Sequence, residues 1–257
     1  VNILSCVQFQ PRFARCPADV SDNVRRSAPL IHEAGRVGSQ LIVFPELAFT
    51  GYSFLDRDQA AAVAEALDGM TFRAMRAVAV ELKAYVAWGY VESAEGRLHN
   101  SCSMVGPDGA LVSSYRKINL WGNDFLWASP GREPAPIVQT ELGRTSVIIC
   151  RDLRDKVPTN IPIMASKKPQ PFWKAQKVDV VAACLNWGKG GFPSTTWMDF
   201  AADNECTLAV ANRWGAEENG TFRQSFGQGG SCVIRPDWTV HTGGLKFNQD
   251  CVVSASY

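Results

Sequence analysis

Thr145-Ser146-Val147-Ile148-Ile149-Cys150 runs directly into Arg151-Asp152-Leu153-Arg154. The β-branched run reads as a buried strand, and the thiol stands where that strand gives way to a polar turn. A side chain at the carboxyl end of a strand in an α/β sheet reaches a crevice rather than the core, a placement that suits a nucleophile. Two other apolar runs end in chemistry of the same kind. Leu41-Ile42-Val43-Phe44-Pro45-Glu46 delivers a carboxylate, and Ser113-Ser114-Tyr115-Arg116-Lys117 delivers an ammonium. Together they supply the parts needed to hydrolyse an amide, so the chain reads as an enzyme.

At these residues the chain resembles the nitrilase superfamily of carbon–nitrogen hydrolases, with its Glu–Lys–Cys triad. Phe44-Pro45-Glu46-Leu47-Ala48-Phe49-Thr50-Gly51-Tyr52 is similar to the family's FPE-x-x-x-TGY stretch. Tyr115-Arg116-Lys117-Ile118-Asn119-Leu120 resembles its YRK-x-x-L stretch, and Cys150-Arg151-Asp152-Leu153-Arg154 its C-x-D-x-R turn. Asn186-Trp187, Ala202-Asp203-Asn204-Glu205-Cys206 and Ala211-Asn212 are similar to the second-half signature. Each motif is weak alone; all of them in order, from about residue 3 to about residue 245, are specific.

Three departures stand out. Asp124 occupies the position before Pro130-Gly131 where the family often has a second glutamate. Asp155-Lys156-Val157-Pro158 replaces the usual Phe-Pro-Glu, and the stretch from Cys150 to Asn186 is longer than usual.

The resemblance implies a four-layer α-β-β-α sandwich, an α/β fold, with Cys150 as nucleophile. A thiol attacks well only when its proton is removed, and Glu46 is the candidate base. Burial would raise the pKa of Glu46 while Lys117 lowers it. The Lys117 ammonium and the Arg151 backbone N–H are the expected oxyanion donors. This chemistry calls for no metal or organic cofactor. Asp124 either assists the site or orients the loop before Pro130. Tyr52, Arg154, Asn186 and Trp187 are candidates for substrate contact, with Arg154 able to hold a carboxylate in a fork or to pair with Asp152. Trp121, Trp127, Trp187, Trp197 and Trp214 recur near the site loops as pocket, core or interface residues.

Composition narrows the alternatives. The 257 residues fit one domain, 1–257, and the net charge of +1, with charges spread along the chain, argues against nucleic acid or an anionic membrane as partner. No apolar stretch approaches the ~20 residues needed to cross a bilayer. No basic-then-apolar leader opens the chain, so no signal peptide is expected. Valine at position 1 suggests a processed or trimmed segment. The eight cysteines lie far apart, and Cys6, Cys102, Cys184 and Cys232 sit in apolar runs. They read as reduced core thiols of a cytoplasmic protein, with no zinc spacing. Of the histidines, His32, His99 and His241, none lies near Cys150 in sequence, which disfavours a Cys–His mechanism.

Periodicity predicts strands over 2–9, 41–44, 85–92, 100–105, 110–115, 178–184 and 206–211, with a hairpin through Gly106-Pro107-Asp108-Gly109. A later hairpin at Pro236-Asp237 echoes it. A helical stripe over 21–37 would start at Ser21 or Asp22, with Pro29 as a kink or a delayed start. Further helices are predicted over 70–82 and after Ser194. The stretch 157–177 has low periodicity and reads as a functional or mobile loop.

The expected reaction is hydrolysis of a small linear amide to ammonia and an acid through a thioester. An N-carbamoyl substrate is a near neighbour. True nitrile hydrolysis fits less well, because such relatives place Trp-Glu after the cysteine where this chain has Arg151-Asp152. A membrane-bound acyltransferase is excluded by the missing spans. A glutaminase domain of a larger synthetase and a catalytically silent scaffold are the other readings. Apolar helices near Trp197 and over 171–177 predict a homodimer or a larger even-numbered assembly.

Overall fold

Strand alternation sets the layers. Leu41 and Val43 belong to the core between two sheets, whereas Ile42 and Phe44 pack beneath helices, as a period of two requires. The computed structural model describes residues 1–154, 173–188, 192–244 and 246–257. The Asp155-Lys156-Val157-Pro158 departure and residues 157–172 of the long stretch lie outside the described residues.

Each sheet has six strands. The first runs in the order Cys251–Ser256, Ile3–Gln8, Leu41–Val43, Tyr85–Ala94, Arg97–Val105, Leu111–Arg116. The second runs Val240–His241, Cys232–Ile234, Thr207–Asn212, Val180–Leu185, Gly143–Ile149, Ile137–Thr140. Each has three parallel strands at its centre and antiparallel neighbours at its edges. The sheets therefore share one build, as the echoed hairpins suggested. They meet face to face, and the Cys6 thiol donates across to the Cys232 carbonyl at 3.4 Å. Pro17–Arg26, Ala28–Arg36 and Met70–Leu82 cover the first sheet, and Thr195–Asp203 covers the second through Trp197, Phe200 and Ala201. The result is the α-β-β-α sandwich.

The predicted 21–37 helix is two helices. Pro17 starts the first, following Cys16, so Ser21 and Asp22 are interior rather than caps. Pro29 lies in the first turn of the second, where its missing N–H leaves no bond unmade. Residues 173–177 form turns rather than a helix. Trp173 is buried, with its ring edge-on to Phe200 at 5.6 Å. Trp197 is also fully buried, against Trp187 and Phe192. Trp173 and Trp197, from the two segments invoked for pairing, are thus part of the chain's own core.

The Ile137–Thr140 strand and the ribbon of Trp214–Asn219 with Phe222–Gln228 were not anticipated. The ribbon's Asn219-Gly220 turn is a hairpin signal that could have found it. All eight cysteines are free thiols, and Cys6, Cys102, Cys184 and Cys232 are buried. Among the described residues no helix is long and apolar enough to cross a membrane.

Candidate active site

Three strand ends converge. Leu41–Val43 leads through Phe44-Pro45 to Glu46, and the turn lies directly on the neighbouring strand at Gly89. A Cβ at Gly89 would meet the Leu47 nitrogen at 2.5 Å and the Glu46 Cα at 2.7 Å, so only glycine permits this approach. Leu111–Arg116 leads to Lys117, held by its backbone to Asn100 and Gly131 at 2.8 Å each. Gly143–Ile149 ends at Cys150, which opens a 3-10 turn, Cys150–Leu153, with φ of 40°. A non-glycine residue in that region stores about 1–3 kcal/mol of strain, held in place by its surroundings. The Arg151 N–H lies in the first turn of this 3-10 helix, where the helix itself supplies no partner.

Behind the thiol sits a buried charged cluster. Lys117 Nζ donates to Glu46 Oε1 and Asp124 Oδ2, both at 2.6 Å. Asn100 Nδ2 donates to Glu46 Oε1 at 2.8 Å and Asp124 Oδ1 at 3.0 Å. The Trp121 N–H adds a bond to Asp124 at 3.0 Å. Asp124 therefore faces Lys117 opposite Glu46, and it also orients the loop that precedes Pro130. Asn100 was missed by sequence reasoning; a polar residue in a strand carries no motif of its own.

Two carboxylates around one ammonium leave the cluster short of positive charge. Burial pushes Glu46 above its ordinary value against the pull of Lys117, and Asp124 adds to the rise. Burial opposes the charge on Lys117, but Asp124 and Glu46 outweigh it and hold the ammonium well above its ordinary value. Cys150 is pushed up strongly by burial and then by the Glu46 charge, so the resting thiol is protonated. Glu46 Oε2 is buried and receives no hydrogen bond from the described residues.

These groups open on a cavity of about 110 Å³ lined by Glu46, Lys117, Cys150, Tyr52, Asn186 and Trp187, with Arg151, Arg154 and Trp121 among the remaining walls. All four substrate-contact candidates thus reach it. The Tyr52 hydroxyl donates to the Trp121 carbonyl, and Lys117 lies 5.9 Å from the Tyr52 ring centre. Arg151 stacks 4.3 Å over Trp121, and Arg154 4.6 Å over Trp187. Asn186, which follows the Val180–Leu185 strand, shares the cavity wall with Cys150. Trp127 and Trp197 are core residues, and the Trp214 indole bonds to Asp250.

Gln224, Ser225 and Phe226 on the ribbon, and Gly188 directly after Trp187, also line the cavity and were missed. The ribbon has a second function here. Glu217 accepts from the Tyr52 and Ser53 N–H groups, at 2.9 and 2.6 Å, and pairs with buried Arg213. That fixes the loop bearing Tyr52.

Asp152 is not the partner of Arg154 that the sequence allowed. Fully buried, it accepts from Tyr115 Oη at 2.6 Å, the Asn119 N–H and Nδ2 at 2.8 and 2.7 Å, and the Ile118 N–H at 3.3 Å. One carboxylate thereby ties the turn of Cys150 to the segment following Lys117. Burial pushes it up to about 6. No histidine lines the cavity.

Fold and site together define a hydrolase of carbon–nitrogen bonds. Residues 3–170 match the carbon–nitrogen hydrolase family, and the chain belongs to it. A probable nitrilase of Schizosaccharomyces pombe is 27% identical over 92% of this chain and 82% of its own length. The omega-amidase of Homo sapiens is 31% identical over 52% of this chain and 51% of its own. Among solved structures, XC1258 from Xanthomonas campestris, a CN-hydrolase superfamily protein with an arsenic adduct in its active site, is 26% identical. It superposes with a TM-score of 0.75 over 99% of this chain and 89% of its own. An amidase from Nesterenkonia sp. AN1 shares the fold at 18% identity and TM-score 0.73, over 100% and 93%.

Proposed function

We propose that residues 1–257 act as one carbon–nitrogen hydrolase domain that cleaves a small linear amide to ammonia and a carboxylic acid. The observation that carries this reading is the convergence of Glu46, Lys117 and Cys150 on one cavity, with Glu46 Oε2 left without a hydrogen-bond partner among the described residues. Glu46 takes the thiol proton as sulfur attacks the carbonyl carbon. The Lys117 ammonium and the Arg151 N–H receive the oxyanion; one such donor is typically worth ~3 kcal/mol. Glu46 then returns the proton to the departing nitrogen, which leaves as ammonia. Water, deprotonated by Glu46, attacks the thioester, the C–S bond breaks, and the sulfur recovers its proton. Asp124 assists by holding Lys117 from the far side.

Cavity size and charge favour a short substrate carrying an anionic group. Arg154, flattened on Trp187, and Arg151, on Trp121, present two guanidiniums at the cavity wall, and burial followed by the Arg154 charge pulls Arg151 below its ordinary value. A carboxylate relieves that repulsion. Ammonia release from monoamides of short dicarboxylic acids is expected to exceed that from neutral amides of equal length, ureido acids and nitriles. Arg154→Ala is expected to raise KM for the acidic amides by roughly 10–100-fold and leave neutral amides unchanged. A wild type that prefers neutral amides, or an equal effect on both classes, counts against this reading.

A cytoplasmic setting and a homodimer or larger even-numbered assembly complete the proposal. Paired subunits are the commonest oligomer geometry. Sedimentation at low micromolar concentration is expected to give an even-numbered species; a fully active monomer refutes it.

A further inference from the structure

Asn100 stands in the Arg97–Val105 strand, buried and outside the cavity walls, yet it touches every member of the charged cluster. Its backbone carbonyl accepts the Lys117 N–H, and its Nδ2 donates to both Glu46 and Asp124. The amide cannot be turned over, because Oδ1 would then face two carboxylate oxygens. In the orientation it keeps, Oδ1 is buried without a hydrogen-bond partner among the described residues. An idle buried carbonyl oxygen costs stability, which the two charge-assisted bonds of the NH2 group must offset. At Glu46 both donors among the described residues, Lys117 Nζ and Asn100 Nδ2, land on Oε1, and none reaches Oε2. A carboxylate oxygen offers about two lone-pair sites, so Oε1 is filled.

We infer that Asn100 is a positioning residue for the general base: with Lys117 it fills Oε1 of Glu46 and so makes Oε2 the oxygen that takes the proton of Cys150. This rests on the reading of Glu46 as base and adds what selects the basic oxygen and keeps it charged. Without Asn100 the carboxylate is free to turn, and either oxygen is open to a proton. The charge balance points the same way. Two carboxylates share one ammonium, and Asn100 supplies N–H dipoles without adding a titratable group. Burial pushes Glu46 up, while the Lys117 charge and the Asn100 bond pull against that rise. The other titratable groups around Glu46 are Asp124, which adds to the rise, and Tyr52, Cys150 and Cys102, which feel its charge. A donor to the carboxylate favours its ionised form, so losing that donor moves the titration of Glu46 to higher pH.

The test is the pH dependence of Cys150 alkylation by iodoacetamide, read at Cys150 by peptide mass mapping, together with kcat and KM. Alkylation needs the thiolate, hence an ionised Glu46, and does not need turnover. Asn100→Leu keeps the bulk and loses the donor, whereas Asn100→Thr suits a strand and keeps one hydroxyl donor. In Asn100→Leu the acid limb of alkylation and of kcat/KM is expected to move up by ~1 pH unit, and in Asn100→Thr by less in the same direction. Plateau kcat is expected to fall ~10-fold with KM changed less than ~3-fold, because Asn100 touches no substrate. A merely structural asparagine would lower Tm and leave the limb in place, so a limb at the wild-type pH in whichever variant folds overturns the inference. Glu46→Gln separates the two readings. If it slows alkylation at least ~100-fold while the Asn100 variants keep the wild-type limb, the base reading stands and this inference fails. If it alkylates at the wild-type rate, Glu46 is not the base and both fail. If the wild-type enzyme releases no ammonia from amides while the alkylation limb moves with Asn100→Leu, the hydrolase reading fails and the positioning role stands.

Discussion

Cys150→Ala is expected to abolish turnover, by at least ~10⁴-fold, while leaving the fold intact. Cys150 is a buried member of the core that also opens on the cavity, so alanine removes the packing of one sulfur, and stability should fall by only about 1 kcal/mol. Alanine also tolerates the φ of 40° no worse than cysteine does. Mass spectrometry of wild-type enzyme with substrate should show the acyl group on Cys150. The control is built into the chain. Cys16 is the exposed thiol and the other seven are buried, so an adduct there reports surface chemistry rather than catalysis. Full activity in the alanine variant, or an acyl adduct on a buried cysteine other than Cys150, would sink the mechanism.

Glu46→Gln and Lys117→Ala are each expected to lose at least ~100-fold in rate. They differ in what else they disturb. Glutamine keeps the shape of the glutamate and leaves Lys117 paired with Asp124, so the fold should hold. Alanine at 117 leaves Glu46 and Asp124 as two buried carboxylates without a cation, and destabilisation of about 3–5 kcal/mol is expected. Rates for that variant must therefore be referred to folded protein.

The pH profile separates the roles further. Glu46 accepts a proton only when ionised, and burial raises it above its ordinary 4.5. As pH falls through that raised value the base is lost, so kcat/KM should fall on an acid limb lying above 4.5. Asp152, pushed up to about 6 by burial, is a second carboxylate raised above its ordinary value. The residual activity of Glu46→Gln decides between them: a limb that vanishes belongs to Glu46, and one that persists belongs to Asp152. Near-normal activity in Glu46→Gln would show that the carboxylate is structural.

Much of this site was legible in the chain because its chemistry sits at strand ends. An apolar run stops where burial stops, and a polar residue at that point is visible without knowing what lies opposite. Glu46, Lys117 and Cys150 were marked in this way, and the β-branched runs before them placed the central strands to within a residue or two. Local rules failed where two signals competed. Pro29 was seen as a break, but the start at Pro17 was hidden by the weak apolar stripe that precedes it.

What the sequence by itself marked was three strand-end groups, the strands that carry them and, through the family resemblance, the two-sheet build. Only the tertiary structure decided their partners. Asn100 joins Glu46 to Asp124, Asp152 serves Tyr115 and Asn119 rather than Arg154, and the Trp214–Asn219 ribbon closes the cavity and braces Tyr52 through Glu217. Each of these contacts spans 24 to 165 residues of chain. Hydrogen bonding between groups so far apart leaves no periodicity and no spacing in the sequence, because it depends on which faces two sheets bring together.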